Sequence, residues 1–325
     1  MAMNRPVTVA CVQAEPVILD LERTLDRLEA LAAEAAQNGA GLVVFPETFV
    51  PVYPSSRWAK AFAGWDNDAA KQTFARIAQN SVGVGSPAER RLGAAAKELG
   101  VWLVTGVNEV EPERPGTIYN SLLYHAPDGT LALHHRKLVP TNHERLVWGQ
   151  GDGRGLTAVE TGFGRVGGLI CWENYMPLAR FALYAAGVEI YIASTADDGD
   201  AWQSTLVHIA RESRAYVISP CHFQRASSYP DDFALRGELA GDDTLGRGGS
   251  AILAPDGSYL AGPVYDAEQI LYAELDPARV LEERQRFDPA GHYNRPDLLQ
   301  LSVSPEARAG DATSSRRPSA RSTRP

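Results

Sequence analysis

Short runs of β-branched and large apolar residues, each bounded by turn formers, recur along the chain: VTVACVQA from Val7, GLVVFPE from Gly41, VWLVTGV from Val101, VGGLICW from Val166, EIYIAST from Glu189 and YVISPCH from Tyr216. Continuous apolar runs of this length read as strands buried on both faces. Between them, Ala- and Leu-rich segments of helical period cover 19–37, 89–99, 178–186 and 204–215, and Gly39, Gly100 and Gly187 stand where helix C-caps are expected. Strand alternating with helix predicts a layered α/β domain.

Two turn signals make the sheet mixed rather than purely parallel. SLLYHAPDGTLALHHRK has the form of an antiparallel hairpin turning at Asp128 and Gly129. APDGS at 254–258 lies between GGSAIL and ILYAELD, which predicts a second antiparallel pair from those two runs. No linker interrupts the pattern before residue 303. We expect one domain over 1–303, followed by a disordered tail over 304–325 whose Ser, Arg, Pro and Ala content is too poor in large apolar groups to fold alone.

The 325 residues, 44% of them apolar, suffice for one large core, and the formal charge of −9 argues against a grip on phosphate backbones, which rests on Lys and Arg. A basic excess occurs only in the tail, where five Arg face two acids. A nucleic-acid partner is therefore not expected. Cys11, Cys171 and Cys221 are an odd set without secreted-type spacing, so reduced thiols and a cytoplasmic location are expected. The opening MAMNRPVTVACVQAEP is broken by Gln13 and Glu15 too early for a signal segment, and no later run is long enough to span a membrane.

Cys171 closes the run VGGLIC, so its thiol is expected at the carboxyl end of a buried strand, where sites gather in open α/β sheets. Glu47 ends GLVVFPE in the equivalent place, and Lys137 follows LALHHR. A carboxylate beside a thiol repels the thiolate unless its pKa is raised or a cation stands near, and Lys137 supplies such a cation. Taken singly, each has a bland role: a buried inert cysteine, a neighbour of a helix N-cap, a solvated charge.

The combination is more specific. FPETFVP at 45–51, HRKLVPTNHERLVWGQGDG at 135–153 and GGLICWENYMPLAR at 167–180 strongly resemble the nitrilase branch of the carbon-nitrogen hydrolase superfamily, and the likeness runs in order from about residue 7 to about 303, including HYNRPDLLQL at 292–301. The resemblance implies an αββα sandwich of two mixed sheets flanked by helices, in a homodimer that builds a larger, often spiral, homo-oligomer. It implies Cys171 as nucleophile, Glu47 as general base, Lys137 as stabiliser of the tetrahedral species and Glu144 of the HER motif as a second active-site acid. CWEN and WGQGDG favour a nitrile over an amide as substrate. Attack on the nitrile carbon gives a thioimidate and then a thioester, hydrolysed by water to a carboxylic acid and ammonia, with Lys137 and the Trp172 backbone N–H stabilising developing charge. No cofactor or metal is implied. The alternatives are cyanide or amide hydrolysis through the same thiol, and a non-catalytic module that kept the fold.

Other signals are weaker. GFGRVG at 162–167 fits a dinucleotide fingerprint in letters, but it precedes a strand instead of following one. His134 and His135 are adjacent on a strand and point to opposite faces, and with His143 they show no metal-ligand spacing. Cys221, near another strand end, is the rival nucleophile but lacks a matched Glu and Lys, and Cys11 sits within the first strand. Phe49, Tyr53, Trp58, Trp148 and Trp172 are candidates for a pocket wall or equally for core, with Tyr53, Trp148 and Trp172 the preferred pocket residues.

Overall fold

The computed structural model describes residues 5–305. Its first strands are β1 (Val7–Gln13), β2 (Ala40–Val44), β3 (Trp102–Glu111), β4 (Arg114–His125) and β5 (Leu131–Arg136). They continue with β6 (Val159–Thr161), β7 (Gly164–Gly168), β8 (Ile190–Ile192), β9 (Tyr216–Ser219), β10 (Phe223–Arg225), β11 (Thr244–Leu253), β12 (Tyr259–Tyr265) and β13 (Gln269–Leu275). One sheet has the order β13-β1-β2-β3-β4-β5, the other β10-β11-β9-β8-β7-β6, with β12 on β11. β1, β2 and β3 are parallel, as are β7, β8 and β9; the remaining pairings are antiparallel.

The two sheets pack face to face through Val9, Leu42, Val44, Val104 and Leu122 on one side and Val166, Ile170, Ile190, Ile218 and Ile252 on the other. Helices cover the outer faces. The helix Leu21–Gln37 buries Leu25, Leu28, Ala32 and Ala35 against the first sheet, and truncating one of those leucines to Ala would cost about 2–5 kcal/mol. Helices Pro177–Ala185 and Asp200–Ser213 bury Leu183, Leu206 and Ile209 on the second. The result is the four-layer αββα arrangement that the motifs imply.

Local chemistry sets the boundaries. Asp20 caps the first helix by accepting from Arg23 N–H, so the helix starts two residues later than the apolar period suggests. Pro87 fits the first turn of the helix Pro87–Leu99, and Gly100 ends it at φ 65°, a conformation that costs glycine little. The hairpin at Asp128 and Gly129 forms as expected, with β4 and β5 antiparallel. The second hairpin corrects the sequence reading. APDGS turns β11 back into β12, whereas ILYAELD is β13 and pairs with β1 in the other sheet. The partner was missed because YLAGPVY, interrupted by Gly262 and Pro263, is a poor strand by composition.

Of the expected tail, residues 306–325 lie outside the described residues. Among the described residues no helix is long and apolar enough to cross a membrane.

Candidate active site

Sheet direction assembles the site. β4 reverses the chain and β5 reverses it again, so β5 runs with β2; Glu47 lies just past β2 and Lys137 just past β5 at the same edge. Cys171 follows β7 and Thr195 follows β8 in the facing sheet. At this edge the sheets are stitched together, because Ser194 Oγ donates to Phe45 O at 3.1 Å and a His222 ring nitrogen hydrogen-bonds to Glu47 O.

Lys137 is fully buried, and its ammonium donates to Glu47 Oε1 and Glu144 Oε2, each at 2.7 Å. Glu47 Oε1 also accepts from Asn120 Nδ2 at 2.6 Å, while its Oε2 is buried with no partner among the described residues. Glu144 accepts from the Tyr53 hydroxyl at 2.8 Å and, through Oε2, from Thr141 N–H at 2.7 Å. One cation is thus shared between two buried carboxylates.

The protonation consequences follow from burial and charge. Burial raises the Glu47 carboxyl, Lys137 lowers it, Glu144 raises it, and the balance stands at about 7. For Lys137, burial acts to lower the pKa, but the anionic forms of Glu47, Cys171 and Glu144 outweigh it and hold the ammonium charged. The Cys171 thiol is pushed well above its ordinary value by burial and then by Glu47, with Lys137 and the Thr195 hydroxyl opposing. The thiol therefore rests protonated beside a carboxylate poised to accept a proton near neutrality.

Cys171 lies three residues beyond β7, at the start of the short 3-10 helix Cys171–Tyr175, with φ 53°. A side chain held in the left-handed region implies that its surroundings impose it. Cys171 N–H donates to Ser194 O at 2.8 Å, and Asn174 Nδ2 donates to Cys171 O at 2.8 Å. Glu173 is the main clamp. Fully buried, its Oε2 accepts from Ile170 N–H at 2.7 Å and contacts His135 Nε2 at 3.0 Å, while Oε1 accepts from Leu138 N–H at 2.6 Å. The turn bearing the thiol is thereby tied to the strand end bearing the lysine. Trp172 N–H has no hydrogen-bond partner among the described residues.

The glycine-rich WGQGDG stretch has a local purpose. Gly151 N–H donates to Lys137 O at 2.8 Å, and a Cβ at Gly151 would stand 2.3 Å from Arg136 O. At Gly155 it would stand 2.5 Å from His135 Nδ1. Only bare backbone lets this loop press against 135–137 and fix Lys137 from behind.

Above the thiol opens a cleft of about 420 Å3 lined by Tyr53, His143, Glu144, Cys171, Trp172, Asp197 and Asp198 among others. Tyr53 and Trp172 line this cleft. Trp148 is buried and packs on Tyr53 with ring centroids 5.9 Å apart, its indole N–H donates to Asn108 Oδ1 at 2.7 Å, and Lys137 Nζ is 5.7 Å from its ring. Phe49 and Trp58 are core. His134 and His135 do face opposite ways, to Glu109 and Glu173. Among the described residues no group of three or more His, Cys, Asp and Glu could hold a metal ion.

Thr195, Asn120, Glu173 and Asp197 escaped the sequence reading. Thr195 was findable, since it closes the strand run EIYIAST as Cys171 closes VGGLIC. Asn120 carried no such mark inside β4.

The sequence model of the carbon-nitrogen hydrolase family matches residues 8–285. An aliphatic nitrilase of Sinorhizobium fredii (strain HH103) is 42% identical, covering 94% of this chain and 97% of that protein. Nitrilase 1 of Arabidopsis thaliana is 38% identical over 95% of this chain and 90% of its own, and a bifunctional nitrilase/nitrile hydratase of Lupinus angustifolius 41% over 92% and 87%. Among solved structures, the carbon-nitrogen hydrolase of Helicobacter pylori G27 shares the fold with a TM-score of 0.72 at 21% identity, covering 90% of this chain and 97% of that one.

Proposed function

Since the chain belongs to the carbon-nitrogen hydrolase family, in its nitrilase branch, we propose that it hydrolyses an organic nitrile to a carboxylic acid and ammonia through Cys171. The observation that carries this reading is the buried Glu47–Lys137–Glu144 cluster acting on a protonated thiol at the base of the cleft.

Glu47 Oε2, the unpartnered oxygen, takes the Cys171 proton as Sγ forms a bond to the nitrile carbon. The displaced π pair moves to nitrogen, which takes that proton from Glu47, leaving a thioimidate and an unprotonated Glu47. Water adds to that carbon with Glu47 as base, giving a tetrahedral species; the protonated nitrogen leaves as ammonia and a thioester remains. A second water attacks, the C–S bond breaks, the acid leaves and Sγ recovers its proton. In this reading Lys137, as a buried cation, and the Trp172 N–H, as a donor with no partner among the described residues, stabilise the tetrahedral species. Glu144 holds the ammonium from the other side. If the tetrahedral species expels the thiolate instead of ammonia, an amide is released; the naming of the Lupinus relative as a bifunctional nitrilase/nitrile hydratase supports this as a minor branch.

The test is incubation of the purified protein with aliphatic, aryl and arylaceto nitriles, with ammonia and acid measured. Turnover of amides alone would overturn the reading, and so would full activity in Cys171→Ala. Cyanide converted to formamide or formate would mark a cyanide hydrolase. Assembly as a homodimer within a larger homo-oligomer in the cytoplasm belongs to the same proposal, and sedimentation with and without residues 304–325 tests the assembly.

A further inference from the structure

Thr195 is fully buried, and its hydroxyl oxygen lies 3.1 Å from Cys171 Sγ. The direction of that hydrogen bond is fixed by bookkeeping of donors. Asp197 N–H, which can only donate, points at Thr195 Oγ1 at 2.9 Å and occupies a lone pair. The hydroxyl has one hydrogen, and among the described residues its one acceptor is the sulfur. Reversing the bond, with the thiol donating to Thr195, would leave a buried hydroxyl hydrogen without a partner. Thr195 is therefore an aimed donor to the nucleophile, and the thiol hydrogen is left to point elsewhere than at Thr195.

The aim is held by the loop that also walls the cleft. Asp197 Oδ2 accepts from the Trp172 indole at 2.8 Å, and Asp197 Oδ1 accepts from Gly199 N–H at 3.0 Å. Thr195 N–H donates to Pro220 O at 3.0 Å, which anchors the residue through its backbone whatever its side chain.

We propose that Thr195 is a further catalytic residue, donating its hydroxyl proton in a hydrogen bond that stabilises the Cys171 thiolate as it forms and again as it leaves the thioester. This rests on Cys171 being the nucleophile. A bond from a neutral hydroxyl to a thiol is weak, but the same bond to a thiolate is charge-assisted, so its contribution grows as the proton moves to Glu47. That difference between ground state and transition state is what accelerates a reaction.

The test measures the thiolate without nitrile turnover. In the full-length protein, iodoacetamide alkylates Cys171 as Sγ displaces iodide, and the rate is followed against pH by mass spectrometry of the Cys171 peptide. Thr195→Val keeps shape and removes the donor; Thr195→Ser keeps the donor. Expected for Thr195→Val are an upward shift of the alkylation profile and a loss of kcat by about ten-fold or more with KM little changed, the size expected for a hydrogen bond to a charged group. Thr195→Ser should restore both. Thr195→Val with the alkylation profile and kcat of the unaltered protein would overturn the proposal, as would a Thr195→Ser no better than Thr195→Val. If Thr195→Val does not fold, Thr195→Ala is read against Thr195→Ser in the same way. An unaltered protein that hydrolyses nitriles while Cys171 is fully blocked would instead overturn the nucleophile assignment.

Discussion

Lys137 bridges Glu47 and Glu144, with its ammonium 2.7 Å from an oxygen of each. All three side chains are buried, so the lysine is at once the counter-ion that lets two carboxylates be buried together and the cation available to developing negative charge. Lys137→Met, which keeps length and removes charge, should lose about 10³-fold or more in kcat and destabilise the fold by roughly 3–5 kcal/mol at neutral pH. Urea denaturation should show the deficit shrinking as pH falls, because protonated carboxyls no longer need the cation. A deficit independent of pH would contradict the ion-pair account.

Burial sets the pH dependence of activity. Glu47 must be unprotonated to take the thiol proton, and its carboxyl stands raised to about 7. Below that value the base is increasingly occupied by a proton, so kcat/KM should fall about ten-fold per pH unit, and above it should level off. A profile flat from pH 5 to pH 8, a range spanning about three units around that value, would exclude Glu47 as the base.

Gly106 in β3 lies under the Glu47 backbone. A Cβ there would stand 2.0 Å from Pro46 O, 2.6 Å from Thr48 N and 2.9 Å from Glu47 C, all atoms that cannot swing aside. Gly106→Ala should displace Glu47 and cut kcat by about 10²-fold, the scale reported for ångström misplacements of a reacting group. Calorimetry should show a lowered Tm as well, and full kcat in a folded Gly106→Ala protein would show that Glu47 has not moved.

Glu173→Gln removes one of two carboxylate acceptors that face Ile170 N–H and Leu138 N–H. An amide can accept from one of them and must present its own NH2 to the other, so one buried donor is orphaned at a cost of about 1–3 kcal/mol. Denaturation should record that loss, and kcat should fall with KM nearly unchanged, since Glu173 touches the turn and not the cleft.

The cleft favours uncharged nitriles. Glu144, Asp197 and Asp198 line it, Lys and Arg do not, and Lys137 is already shared between two carboxylates. A nitrile carrying a carboxylate should show kcat/KM at least ten-fold below its neutral amide or ester counterpart, a gap that narrows with added salt as the repulsion is screened. Equal rates for the two would show that the acids do not face the substrate.

What the sequence determined by itself was the part written in local patterns. Apolar runs and helical periods gave β1, β2, β3, β7, β8, β9 and the helices Leu21–Gln37, Pro87–Leu99, Pro177–Ala185 and Asp200–Ser213, Asp128 and Gly129 gave a hairpin, and motifs around Glu47, Lys137, Glu144 and Cys171 named the branch of the family. Each of these is a property of neighbouring residues, and neighbours can be read in order. The pairing of β13 with β1 could not, since the segments are more than 250 residues apart and the gain from joining them belongs to the sheet. Nor could the burial of Trp148 against Tyr53, because an aromatic in a wall and one in the core have the same letters. Only the tertiary structure decided that Lys137 is shared, that one oxygen of Glu47 is free, and that the Thr195 hydroxyl has nowhere to point but the sulfur. Those are statements about which polar groups meet once water has been excluded, and burial is set by the whole chain at once.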